Sequence, residues 1–119
     1  GRARCRLWSL NMRHVIFLLA TLGLASTSQA AGLPTYELHV RDGQFTPPRL
    51  QVPAGQRFKI IVKNVGTGPI EFESTPLRVE KVLSPGAQSF VVIHPLKPGR
   101  YPFFDEFRMD LPEGEIIAQ

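Results

Sequence analysis

The feature that most restricts this chain is its punctuation. Beyond residue 33, apolar and polar residues alternate in short runs, and proline or glycine ends each run. In "YELHVRD", Tyr36, Leu38 and Val40 fall on one side and Glu37, His39 and Arg41 on the other. A half-buried strand requires this period of two, because successive side chains leave opposite faces of a sheet. "QRFKIIVKN" repeats the pattern, with Phe58, Ile60 and Val62 opposed to Lys59 and Lys63. "RLQV", "IEFES", "VEKVL", "AQSFVVIH", "RYPFF" and "EGEIIAQ" read as further strands, separated by turns such as "PAG", "GTGP", "SPG" and "PLKPG". No run keeps helical spacing, and prolines recur too often for a helix to survive between them. About seven or eight short strands with Pro/Gly turns predict an all-β fold, an antiparallel Greek-key β-sandwich.

The front of the chain obeys a different rule. Met12 is followed by Arg13 and His14, then by the apolar run "VIFLLATLGLA" at residues 15–25, then by "STSQA". A charged start, a short apolar middle and small residues at Ser28 and Ala30 describe a secretory signal peptide cleaved before Ala31. The run falls short of the about 20 apolar residues that a membrane-spanning helix needs. The expected organisation is therefore an upstream or non-native extension at 1–11, a signal peptide at 12–30 and one domain at 31–119. Localisation is expected to be periplasmic, with no membrane insertion of the mature chain.

Removing the leader changes the electrostatics. Of the fourteen lysines and arginines, Arg2, Arg4, Arg6 and Arg13 precede Ala31, whereas all ten acids follow it. The mature domain is then electrically balanced, so the basic character of the whole sequence is no argument for nucleic acid or anionic lipid as a partner. Cys5, the single cysteine, also lies in the leader, so the domain has no disulfide, zinc–thiolate site or thiol nucleophile. It also carries no nucleophile elbow, phosphate loop or zinc signature, which leaves catalysis without a candidate.

Acids gather in "YPFFDEFRMDLPEG", where Asp105, Glu106, Asp110 and Glu113 follow the pair Phe103–Phe104. Carboxylates are hard donors that suit iron, manganese or calcium. Strand alternation sends Asp105 and Glu106 to opposite faces, so only one of them aims inward. Met109 is a soft donor in the same stretch. His39 on a polar strand face and His94 before Pro95 read as solvent-facing residues. Glu73, Arg78, Glu80 and Lys81 read as surface ion pairs, with Phe72 left for the core.

At "LQVPAGQRFKIIVKN" and "LKPGRYPFF" the chain resembles the cupredoxins, and the likeness extends from Tyr36 to Ala118. It implies a sandwich with one metal-binding end, formed by the loops after Asn64 and after Phe104. In copper-binding cupredoxins those loops carry His, Cys, His and Met. The likeness sets Glu71 in place of the first His, Asp105 in place of Cys and Arg108 in place of the second His, with Met109 and Glu113 near the axial position. Such a donor set is not type 1 copper, which takes a thiolate and two imidazoles.

"EFESTPLRVEKV" and "FFDEF" are similar to the cupredoxin-like components of bacterial ferrous-iron uptake systems. That resemblance implies a metal-binding accessory of iron or copper uptake, with metal ligands among Glu71, Asp105, Glu106 and Met109. Glu71 with Asp105 is the expected central pair. It implies a membrane permease and a periplasmic metal-binding protein as partners, and assistance of ferrous iron oxidation as an added role. In that subfamily a histidine usually follows the last motif; here Arg108 stands there, and a guanidinium cannot ligate a cation. Two other readings stay open. Arg108 closes a vacant site by pairing with Glu71 or Asp105, giving a non-metal interaction module, or the domain is an electron-transfer cupredoxin.

Overall fold

The computed structural model describes residues 32–119, so the extension at 1–11 and the signal peptide at 12–30 lie outside the described residues. Nine strands follow one another: β1 Thr35–Arg41, β2 Gln44–Thr46, β3 Arg49–Val52, β4 Phe58–Asn64, β5 Ile70–Ser74, β6 Val79–Leu83, β7 Gln88–Ile93, β8 Gly99–Asp105 and β9 Gly114–Ala118. A single 3-10 helical turn, Glu106–Arg108, leaves β8. The strands form two sheets, in the orders β2-β1-β4-β7 and β3-β9-β8-β5-β6. Among the described residues no helix is long and apolar enough to cross a membrane.

Alternation builds the sandwich as the sequence predicts. Leu38 and Val40 of β1, with Phe58, Ile60 and Val62 of β4, are almost wholly buried, while Lys59, Lys63 and His39 point away from the core. Phe72, Phe103 and Ile116 answer them from the other sheet. Phe45, Phe72 and Phe103 meet edge-on or tilted at ring-centroid distances of 4.9–6.5 Å. Gly114 is required here, because a Cβ at that position would run into the Phe103 ring.

The all-β sandwich is as expected, but its sheets are not purely antiparallel. β1 runs parallel to β4, and β3 runs parallel to β9, while the remaining pairs are antiparallel. The departure has a simple cause. β2 is a three-residue strand after the tight turn at Asp42 and Gly43, and it occupies one flank of β1. The other flank of β1 is therefore left for β4, which arrives after the chain has crossed to the opposite sheet through β3.

Asn64 fixes the end of the sandwich that matters for the site. Its buried amide donates to the carbonyls of Gly68 and Leu83, at 2.9 and 3.0 Å, and its Oδ1 accepts from the Gly66 N–H at 3.0 Å. One side chain thus shapes the loop that delivers the chain into β5.

Candidate metal centre

β5 is the spine of the site. Ile70, Phe72 and Ser74 are buried, so Glu71 and Glu73 project from the outer face of the five-stranded sheet. The β5–β6 hairpin sets Glu73 directly opposite Glu80, and Glu71 opposite Val82. On the other flank, β8 pairs with β5 only as far as Phe72–Asp105, after which the chain winds into the helical turn carrying Glu106. One carboxylate oxygen from each of Glu71, Glu73, Glu80 and Glu106 lies within 4.8 Å of the other three.

Among the described residues no base forms an ion pair with this tetrad. The ion pairs among the described residues join His39 and Lys63 to Glu37, Arg49 and Arg100 to Glu115, and Arg108 to Asp110. Crowded carboxylates relieve their repulsion by holding protons. The Glu71 carboxyl is raised to about 7, first by sharing a hydrogen bond with Glu80, then by partial desolvation and the charges of Glu106, Glu80 and Glu73. Glu73 is likewise raised to about 7, first through Glu106, then by desolvation and the nearby charges. Glu73 Oε1 is inaccessible to solvent and has no hydrogen-bond partner among the described residues.

Of the residues expected to bind metal, Glu71 and Glu106 come together here, whereas Asp105 and Met109 do not join them. Asp105 shares the core face with Phe72 and is 2% exposed, so its side chain leaves the sheet on the side opposite Glu71. Instead of facing the Glu71 carboxylate, its Oδ1 accepts the backbone N–H groups of Glu71 and Phe107, both at 3.0 Å. The expected Glu71–Asp105 pair is therefore corrected. Alternation does send only one of the adjacent acids inward, but the inward one caps backbone and the outward one meets the other acids. Met109 is 66% exposed in the loop beyond the turn. Glu113 is also exposed, beside Pro48 and Gly114.

Arg108 does not close the site either. Its guanidinium donates to the Asp42 carbonyl at 3.2 Å and lies 3.5 Å from Asp110. Its stem rests against Gly43, where a Cβ would come within 2.8 Å of Arg108 Cβ. The residues the sequence reading missed are Glu73 and Glu80, taken there for surface ion-pair partners. The signal was present: a hairpin register across "EFESTPLRVEKV" sets Glu73 against Glu80, and the same alternation turns Lys81 to the other face, opposite Phe72.

A family model described as the cupredoxin-like domain matches residues 14–118. This chain belongs to that family. Its relatives include an uncharacterized protein of Rickettsia prowazekii, 33% identical over 82 residues, which make up 69% of this chain and 66% of that one. Among solved structures, the cupredoxin-like chain is similar to a purple cupredoxin from Nitrosopumilus maritimus, with a TM-score of 0.54 and 14% identity over 71% of this chain and 99% of that one. It is also similar to the metal-binding domain of the Cu(I)-exporting P-type ATPase of Streptococcus pneumoniae, with a TM-score of 0.60 and 15% identity over 71% and 84% of the two chains. At such identities the likeness to these copper proteins speaks for the cupredoxin-like fold alone.

Proposed function

We propose that this cupredoxin-like chain is a periplasmic metal-binding accessory of iron uptake, holding its cargo on the tetrad Glu71, Glu73, Glu80 and Glu106. The observation that carries this reading is the convergence of four carboxylate oxygens within 4.8 Å, none of them in an ion pair among the described residues. Hard oxygen donors of this kind suit iron or manganese over Cu(I). A bound cation would replace the protons that Glu71 and Glu73 hold near neutral pH. The signal-peptide reading of residues 12–30 supports export, and a membrane permease with a periplasmic metal-binding protein would be the partners that deliver and receive the ion.

The donor set does not fit type 1 copper. The only cysteine of the sequence is Cys5. Asp105, in the position that the family resemblance gives to the thiolate, spends Oδ1 on two backbone N–H groups. His39 lies on the outer face of β1, 3.1 Å from Glu37. His94 follows Ile93, which pairs with Phe58 at the opposite end of β4 from Asn64. Neither imidazole approaches Asp105, which weighs against electron transfer through copper.

The test is an anaerobic calorimetric titration with Fe(II), repeated with Mn(II). The unaltered chain should bind one of these ions, and Glu71→Gln or Glu73→Gln should each weaken binding by about tenfold or more, roughly 1.4 kcal/mol per decade. No heat from the unaltered chain with either ion would end this reading.

A further inference from the structure

The tetrad is assembled from two kinds of support. Glu73 and Glu80 face each other across a regular hairpin, so the β5–β6 ladder alone holds them. Glu106 has no ladder. It is the first residue of a three-residue turn that follows the last residue of β8. The β5–β8 ladder also ends at Phe72–Asp105, which leaves the Glu71 N–H pointing past the end of β8.

We infer that Asp105 is the positioning residue of the tetrad: through one buried oxygen it fastens the backbone of Glu71 to the turn that carries Glu106. Oδ1 takes the Glu71 N–H that β8 no longer serves, and it takes the Phe107 N–H immediately after Glu106, both at 3.0 Å. The same atom therefore sets the separation of two acids that come from different elements. A carboxylate is a stronger acceptor for such N–H groups than a neutral side chain. Keeping it here has a cost, since Asp105 is 2% exposed and its Oδ2 takes no hydrogen bond. A buried, half-satisfied carboxylate is unfavourable unless its bonds achieve something an apolar residue cannot. In this chain what they achieve is the placement of Glu71 and Glu106.

This inference rests on the metal reading above and deepens it, and the experiment separates the two. Fe(II) and Mn(II) affinities are measured for the unaltered chain, Asp105→Ala, Asp105→Asn and a control, Ile93→Ala, which opens a cavity in the other sheet. Thermal unfolding is followed in parallel. Asp105→Ala should bind about 10–100-fold more weakly, as losses of support behind metal ligands do. Asp105→Asn retains an oxygen for both N–H groups and should recover binding to within about threefold of the unaltered chain. Ile93→Ala should lose stability without losing affinity.

Folded Asp105→Ala that binds as tightly as the unaltered chain would overturn the inference while leaving the metal reading intact. An Asn variant as weak as the Ala variant would overturn it too, whereas an unaltered chain that binds neither ion removes both. Should Asp105→Ala fail to fold, hydrogen exchange on the unaltered chain decides. Saturating Mn(II) should slow the amides of Glu71 and Phe107 together, and unchanged exchange at these two sites would refute the coupling.

Discussion

The two flanks of the five-stranded sheet treat their acids in opposite ways. On the β3–β9–β8 side one carboxylate, Glu115, has two arginines, with Arg100 Nη1 at 2.6 Å and Arg49 Nε at 3.6 Å. On the β8–β5–β6 side four carboxylates share one patch, and among the described residues none of them is in an ion pair. Bases are available there: Arg78 and Lys81 flank Glu80 in the sequence. Alternation sends Lys81 to the other face, and Arg78, in the hairpin turn with a positive φ of 58°, lines a hollow with Glu73 and Glu80 without forming an ion pair to either. Like charges set directly across a ladder destabilise a sheet. A fold that pairs one acid twice over and leaves four others without an ion pair treats the two flanks differently, and on the proposed function the second flank would hold a cation.

The sharpest way to break this contrast is to give the acidic flank a base of its own. Glu80→Lys places an ammonium among the remaining three acids, as the arginines are placed around Glu115. Iron and manganese binding should fall by about 100-fold or more, close to 2.8 kcal/mol. The metal-free chain should become more stable at pH 8. Competitive metal titration and thermal melts check both halves, and a Lys variant that still binds metal would show that the tetrad is not the site.

pH separates the flanks next. An unfolded glutamate titrates near its ordinary value of 4.5, whereas folded Glu71 and Glu73 titrate at about 7. Between these values the folded chain binds more protons than the unfolded one, so the stability linked to these groups is complete below pH 4.5 and is lost as pH rises through 7. Melting of the metal-free chain should therefore show stability falling from pH 5 to pH 8, and Glu73→Gln should flatten that slope. Metal affinity should run the other way, strengthening over the same interval as the protons leave. The smallest effect belongs to the neutralised flank. Glu115→Gln weakens its pairing with the two exposed arginines and should cost about 0–1 kcal/mol in urea unfolding, with metal affinity unchanged.

Most of the fold was legible because a period of two is difficult to disguise. Tyr36 to Arg41 and Phe58 to Asn64 announced their buried faces, and the turns announced the strand ends. β2 was not legible, since Gln44–Thr46 is too short to show a period and forms by folding back on β1. Nor were the parallel ladders, because direction depends on which flank of a strand earlier neighbours have taken. The acidic cluster was legible by half. Glu71 and Glu106 could be placed from their motifs, but Glu73 and Glu80 needed the hairpin register across "STPLRVE". Asp105 was placed on the inward face correctly. Its partner was misjudged, because an inward carboxylate looks for N–H donors before it looks for metal.

The parallel pairing of β3 with β9 has a consequence for the order of assembly. Gly114–Ala118 lie between β3 and β8, and they are the last of the described strands in the direction of synthesis. Until they emerge, Arg49–Val52 have no neighbour within their sheet, and roughly sixty residues must be spanned to bring the two together, a closure whose entropy cost rises slowly with length but slows folding. The acidic flank, built from the local β5–β6 hairpin and β8 with its terminal turn, can form before β9 joins the sheet to β3. A chain delivered from its N-terminus thus has the pieces of its acidic patch in place before its architecture is sealed.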